Sequence, residues 1–361
     1  MRDKIIALAA CSVIFIVVLV IALTTAVRGN ARNTAATDTG SQSAVSGTPT
    51  AATAAAEKSA PEIPAETEPA ANQQPVLPIQ EKHLYKHPLK NLHRNFDFSR
   101  TASLPRNLAG YRFNAGILVD LDSGKVLWAK NAKTPVPIAS LTKLLTIYTA
   151  FEEIERRKDI DLNTLVTVSL ECTQTTPVRI NLKPGEKVSL HELFIYSMLR
   201  SANDAAHLIA EYFGGGESSR FILRMNRKAA SIGMTNGYFV NANGLPIYGK
   251  KPSDTLMNKA SCLDMVKLIQ RLYEYPMILR YTACSSKKTR HGTLNNGNRL
   301  LGKVRGMEGL KTGFTNAAGH CLAFSCRRDG RRLAGIVTGF RKRQNCFDFT
   351  AQLLEWGFKQ H

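Results

Sequence analysis

Ser140-Leu141-Thr142-Lys143 sets a hydroxyl and an amine three residues apart at the head of an apolar stretch, Leu144, Leu145, Ile147, Tyr148 and Phe151. On a helix, residues three apart share a face, so the amine can reach the hydroxyl. A desolvated, cation-rich cleft lowers a lysine's pKa, and a lysine so deprotonated can take the serine's proton. The backbone N–H of a serine at a helix start also lies close to any negative charge that develops after attack. Two further motifs supply complementary groups. Ser201-Ala202-Asn203 is the only S-x-N in the chain, and its hydroxyl and amide can relay a proton and hold a peptide carbonyl. Lys311-Thr312-Gly313 is the only K-T-G; its lysine can attract a carboxylate, and its glycine lets a bound peptide come close to the backbone.

Each motif alone has a plainer explanation. Ser140 and Ser201 could be helix caps, and K-T-G could be an ordinary turn. A second S-x-x-K, Ser285-Ser286-Lys287-Lys288, runs into Thr289-Arg290-His291-Gly292 rather than an apolar helix and reads as coincidence. Order and separation argue against coincidence for the other three, which stand 61 and then 110 residues apart.

The elements around them can be read from periodicity. Ile117, Val119 and Leu121 alternate into the turn Asp122-Ser123-Gly124, which predicts a hairpin over Phe113–Asn131. Gly319–Gly339 repeats the pattern around Asp329-Gly330, with K-T-G just before its first strand, and Asn345–Phe358 has helical spacing. Between these ends lies a helical middle: Ser140–Arg157, Leu190–Met198, Asn203–Phe213, Ser218–Ser231 and Ser261–Tyr273. The expected fold is α/β (α+β), an antiparallel sheet built from both ends of the domain with an inserted helical subdomain and a cleft between them.

S-x-x-K, S-x-N and K-T-G in this order are the signature of β-lactamases and penicillin-binding proteins. From about Arg112 to Phe358 the chain resembles the low-molecular-mass penicillin-binding proteins, the serine D-alanyl-D-alanine carboxypeptidases with a β-lactamase/transpeptidase-like fold. The resemblance extends to Leu182–Val188, Phe239–Pro246, Gly309–Gly313 and Ala317–Gly319. It implies that Ser140 is the acylated nucleophile and Lys143 its base, with Ser201 and Asn203 in proton relay and substrate binding. Lys311, Thr312 and Gly313 would adjoin the substrate's terminal carboxylate, and the backbone N–H groups of Ser140 and Phe314 would form the oxyanion hole. The implied reaction releases the terminal D-alanine of a peptidoglycan stem peptide, with β-lactam antibiotics as covalent inhibitors and no cofactor. A DD-endopeptidase cutting cross-links, a class A β-lactamase and a catalytically silent wall-binding protein are the alternatives. Ala202 stands where the family commonly has Gly. The family's carboxylate-holding arginine has no clear counterpart, Arg299, Arg341 and Arg343 being candidates. The all-β domain that many members carry after the catalytic domain is not expected here.

The rest of the chain is read as support. Ile5–Val27 is a run of 23 uncharged residues, about 35 Å long as a helix and enough to cross a bilayer. We read residues 1–28 as a membrane anchor, with a cleaved signal or a lipoprotein-type box at Leu8–Cys11 as alternatives. Residues 29–107 form a tether rich in Ala, Thr, Pro and Glu that ends in a basic stretch, His83–Arg106, read as more tether or a docking arm. Residues 108–361 are the catalytic domain, expected to be extracytoplasmic in a bacterial cell envelope. The chain's +20 charge falls mostly on that domain, which has 37 Lys and Arg against 20 Asp and Glu. Such a charge suggests nucleic acid, but no nucleic-acid motif accompanies it, so the anionic cell wall is the expected polyanion. With no H-E-x-x-H and no C-x-x-C, no metal site is expected. The domain's six cysteines leave buried thiols and disulfides both open, except that Cys321 and Cys326, five apart on one strand, should not pair.

Overall fold

The two predicted hairpins meet in one sheet. The computed structural model describes residues 95–360, together with Lys86, His87, Leu89, Leu92 and His93. The proposed anchor and most of the tether lie outside these residues. Among those described, no helix is long and apolar enough to cross a membrane. The strands are β1 (Ala115–Asp120), β2 (Val126–Lys130), β3 (Met307–Thr315), β4 (Gly319–Arg328) and β5 (Arg331–Phe340). Their order across the sheet is β2-β1-β5-β4-β3, antiparallel throughout. Ala115 faces Thr338 and Asp120 faces Leu333, so the first strand of the domain pairs with the last.

Period-2 alternation sends neighbouring side chains to opposite faces, and both faces are covered. Leu118, Leu322, Phe324, Leu333 and Val337 pack with Phe349, Leu353 and Leu354 of the C-terminal helix Arg343–Phe358. Phe113 stacks on Phe340 with ring centroids 4.8 Å apart. Ile117, Val119, Cys321, Ala323, Ala334 and Ile336 join the larger core on the other face. That core is built on the helices α1 (Lys143–Arg156), α2 (Leu190–Ile195), α3 (Asn203–Gly214), α4 (Ser218–Ser231), α5 (Cys262–Leu272) and α6 (Pro276–Ala283). The predicted turn at Asp329-Gly330 has both residues at positive φ, 49° and 83°, the combination that matches the twist of a tight hairpin.

One element differs from the sequence reading, and two others gain detail. K-T-G lies inside the edge strand β3 and not in a turn before a strand. Ser286–Thr289 and Gly292–Asn295 form a small hairpin carrying the second S-x-x-K. Its lysine, Lys288, is on the strand and its serine, Ser285, just before it, so the pair lacks the helical turn that brings Ser140 and Lys143 together. The basic segment before the domain docks on it: Phe96 is buried, Asp97 bridges Lys125, and Ala102 N–H donates to Leu127 O at 2.9 Å. All six cysteines of the domain are free thiols, with Cys321 and Cys326 facing different cores.

Candidate active site

Ser140 sits on a single 3₁₀ turn, Ala139–Thr142, that leads into α1. In 3₁₀ geometry residues i and i+3 eclipse, which brings Ser140 and Lys143 closer than an α-helix would. Lys143 Nζ lies 3.1 Å from Ser140 Oγ. Neither serine caps a helix through its side chain: the residues at the starts of α1 and α3 are Thr142 and Ala202, neither with a side-chain cap bond. Ala139 just before the nucleophile has φ 48°, a left-handed conformation that costs an L-residue about 1 kcal/mol or more.

That strained turn is held from three sides. Gly244 has φ +89°, and a Cβ there would stand 2.0 Å from Ala139 O and 2.9 Å from Ser140 N. A Cβ on Gly313 would come within 3.2 Å of the same Ser140 N. The two glycines let the 241–244 loop and the free edge of β3 close on the nucleophile's backbone amide. Buried Asn258 stitches the third side. Its side chain accepts from Val240 N at 2.7 Å and donates to Thr142 Oγ1 at 2.9 Å, while its backbone O accepts from Ile138 N at 3.2 Å.

Lys143 is fully buried and has three partners: Ser140 Oγ, Asn203 Oδ1 at 2.7 Å and Asn243 O at 2.5 Å. The Asn203 amide can face only one way. Its nitrogen donates to Pro177 O, which leaves the oxygen for the lysine. Burial pushes the Lys143 amine well below the usual lysine range, and the nearby charge of Lys311 pushes it further, against an opposing pull from Asp204. A neutral Lys143 has two N–H groups and one lone pair. Two of its partners are carbonyl oxygens, which can only accept. Ser140 Oγ is the one partner with a proton to give, so the lone pair faces it.

Lys311 is also buried, and among the described residues its amine bonds only Thr312 O, at 3.2 Å. Burial lowers its pKa to about 7. Thr312 lies against Gly297, where a Cβ would meet Thr312 Oγ1 at 2.6 Å, and Arg343 Nη2 donates to Gly297 O at 2.9 Å. Of the three arginines raised by the sequence, Arg343 is tied in this way to the residue packed on Thr312, while Arg341 lines a cavity of about 280 Å³ with Phe314, the residue after K-T-G, and another of about 680 Å³ with Tyr111 and Arg112. Phe314 is exposed and stacks on His320 at 4.3 Å, forming a lip beside the strand.

Ser201 follows a π-turn, Tyr196–Arg200, donates its backbone N–H to Tyr196 O and takes φ 62°; among the described residues its hydroxyl bonds neither Ser140 nor Lys143. Asn203 is anchored more firmly. The next residue, buried Asp204, accepts from the N–H groups of Ile180, Asn181 and Leu182, which ties α3 to the 178–182 loop. Sequence reading assigned no role to Asn243, Gly244 or Asn258. The first two lie inside Phe239–Pro246, a stretch noted only as part of the resemblance; Asn258 had no local signal.

The chain matches the Peptidase_S11 profile, D-alanyl-D-alanine carboxypeptidase, over residues 105–342. It is 29% identical over 270 residues to the D-alanyl-D-alanine carboxypeptidase DacF of Bacillus subtilis, and 33% over 255 residues to DacC of Escherichia coli. These matches cover 73% and 68% of this chain, and it spans 66% and 61% of the relatives' lengths. A D-alanyl-D-alanine endopeptidase of E. coli is 28% identical over 263 residues, 71% of this chain and 79% of the relative. Penicillin-binding protein D2 of Listeria monocytogenes, solved with ampicillin bound, superposes with TM-score 0.62 at 28% identity, covering 72% of this chain and all of the other.

Proposed function

Because the chain belongs to the S11 family of D-alanyl-D-alanine carboxypeptidases, we propose that it is a serine DD-peptidase that removes the terminal D-alanine of peptidoglycan stem peptides. One observation carries this reading: Lys143 is buried, its pKa pushed well down by burial, and Ser140 Oγ at 3.1 Å is its one partner with a proton to give, the other two being carbonyl oxygens. Ser140 Oγ gives its proton to Lys143 Nζ and attacks the carbonyl of the last D-Ala–D-Ala bond. The oxyanion is met by the N–H groups of Ser140 and Phe314, on the turn and the strand that Gly313 holds together. Lys143 returns the proton to the leaving amine, with Ser201 beside the path, and D-alanine departs. Water then splits the ester on Ser140. Asn203 positions the lysine. Lys311, Thr312 and Arg343 form the cationic end of the groove, where the substrate's carboxylate docks. A β-lactam enters by the same attack and stays as an ester on Ser140.

The E. coli endopeptidase among the relatives favours a second reading, cleavage of cross-links by the same residues. We place the domain outside the cytoplasmic membrane, held by the segment Ile5–Val27. Labelling with a fluorescent penicillin, followed by peptide mapping, tests the mechanism. The adduct is expected on Ser140, lost in Ser140→Ala and reduced about 10²–10⁴-fold in rate in Lys143→Ala. An adduct on Ser285 would refute it, and no adduct at all would favour the silent wall-binding protein. Free D-alanine from a stem pentapeptide supports the carboxypeptidase; cleavage of a cross-linked dimer alone moves the assignment to the endopeptidase.

A further inference from the structure

On α3, four residues past Asn203, His207 begins a second constellation that the proposed peptidase chemistry does not use. His207 and Glu211 stand one turn apart on the same face of the helix, and Glu171 of the short helix Leu170–Thr173 comes up to meet them. His207 Nε2 is 3.3 Å from Glu211 Oε1 and 3.4 Å from Glu171 Oε1. It is shut off from solvent and has no hydrogen-bond partner, although the imidazole as a whole is 19% exposed.

Glu211 is the second anomaly. Its side chain is only 8% exposed, yet among the described residues no lysine or arginine pairs with it. The other buried glutamate among the described residues, Glu274, pairs with Arg271 and Lys86. Glu211 has a hydroxyl instead, Ser169 Oγ donating to Oε2 at 2.6 Å. In a domain rich in lysine and arginine, a buried carboxylate left to a hydroxyl and an imidazole is short of positive charge.

We propose that Glu171, His207 and Glu211 bind a tetrahedral divalent transition ion, zinc by preference, that clamps the helix Leu170–Thr173 to α3. Ligand atoms about 2.05 Å from a tetrahedral ion stand about 3.35 Å apart, which the two separations from His207 Nε2 match, the three ligand atoms all lying within 4.8 Å of one another. An octahedral magnesium with ligands at about 2.05 Å would draw them to about 2.9 Å. One imidazole and two carboxylates suit zinc, and water takes the fourth position. Ser169 orients Glu211 from behind and, through its bond from Cys172 N at 3.0 Å, holds the turn that presents Glu171. His207 also lines a cavity of about 380 Å³ shared with Asn241 and Asn243. The ion therefore sits on the helix that delivers Asn203 and beside the loop that delivers Asn243.

The test uses the full-length chain, with bound metal measured after dialysis and with cobalt(II) as the spectroscopic probe. One ion per chain, with the intense visible bands of tetrahedral cobalt, is expected. Loss of one ligand should weaken binding by more than about 100-fold, since outer-shell partners alone are worth about 10–100-fold. This should hold in His207→Ala and Glu211→Gln, and also in Glu171→Gln, whose 71% exposed side chain makes a folding defect least expected. Zinc should raise the melting temperature of the wild type and not of the variants, with penicillin labelling of Ser140 retained as the check on folding. Weak, octahedral cobalt spectra, binding undiminished in Glu171→Gln, or a melting temperature that responds to pH but not to zinc would overturn the proposal. The last result would mean a protonated His207 bridging the two carboxylates. None of these outcomes bears on Ser140.

Discussion

Replacing Lys311 with methionine should make the domain more stable while impairing it as an enzyme. Methionine keeps the straight chain and discards the amine. In the folded protein the amine has a pKa of about 7, against 10.5 for an unperturbed lysine. Between those values the unfolded chain holds a proton that the folded chain sheds, so the unfolding free energy of the wild type rises with pH. At about 1.36 kcal/mol per pH unit, the gap costs the folded state about 4 kcal/mol at pH 7 and below about 1 kcal/mol near pH 10.5. Lys311→Met removes that cost. Urea unfolding should therefore show the variant more stable by about 4 kcal/mol at pH 7, and the advantage should shrink steadily as the pH is raised toward 10. Lys143 moves in the same direction: without the charge of Lys311 its amine is pushed down less, so its own penalty shrinks in the variant. Acylation by a carboxylate-ended peptide should fall in the same variant, because the cation facing the carboxylate is gone. A variant no more stable than the wild type at pH 7, or an advantage that does not shrink with pH, would refute the reasoning.

The same pKa predicts a pH profile. For a carboxylate-ended substrate, kcat/KM should fall on the alkaline side with a midpoint near 7 as Lys311 loses its charge in the free enzyme; Lys311→Arg, which stays protonated, should abolish that limb in stopped-flow acylation measurements. Gly244→Ala should cost about 1–3 kcal/mol by thermal unfolding and slow acylation more than it lowers stability, because its methyl group would press on Ala139 O, 2.0 Å away, and displace the nucleophile's turn. A Gly244→Ala enzyme with wild-type acylation would show that the close approach is dispensable.

The legible parts of this molecule were those set by local spacing. Alternation fixed the two hairpins, and an apolar stripe fixed α1 and the C-terminal helix, because a period of 2 or 3.6 survives without knowledge of the partner. The three motifs were legible because their order is specific even where each is not. Strand β3 was missed: Lys311-Thr312-Gly313 interrupts its alternation with the very residues that line the site, so chemistry displaced the pattern. Asn258 was illegible for another reason. Its bonds reach across 116 residues to Thr142 and 17 to Asn241, and nothing in its neighbours announces either. The Glu171, His207 and Glu211 cluster combines both problems: a histidine and a glutamate four apart are too common to notice, and Glu171 is brought in by folding alone. Reading the sequence for familiar zinc spacings could not have found it.

The sheet also determines when this protein can become an enzyme. Ala115 opens β1, and Thr338, 223 residues later, closes on it through both backbone and side chain. The serine and its lysine are made before the groups that hold their turn, Gly244, Asn258 and Gly313, which all come more than 100 residues later. The strand bearing Lys311 comes well over 150 residues after Ser140, and the sheet that supports it has β5, made later still, wedged between β1 and β4. Pairings this distant in sequence form slowly, because the intervening chain must be closed into a loop first. A growing chain therefore carries its nucleophile long before it carries the wall that completes the groove. It stays chemically silent until almost the whole domain has been synthesised.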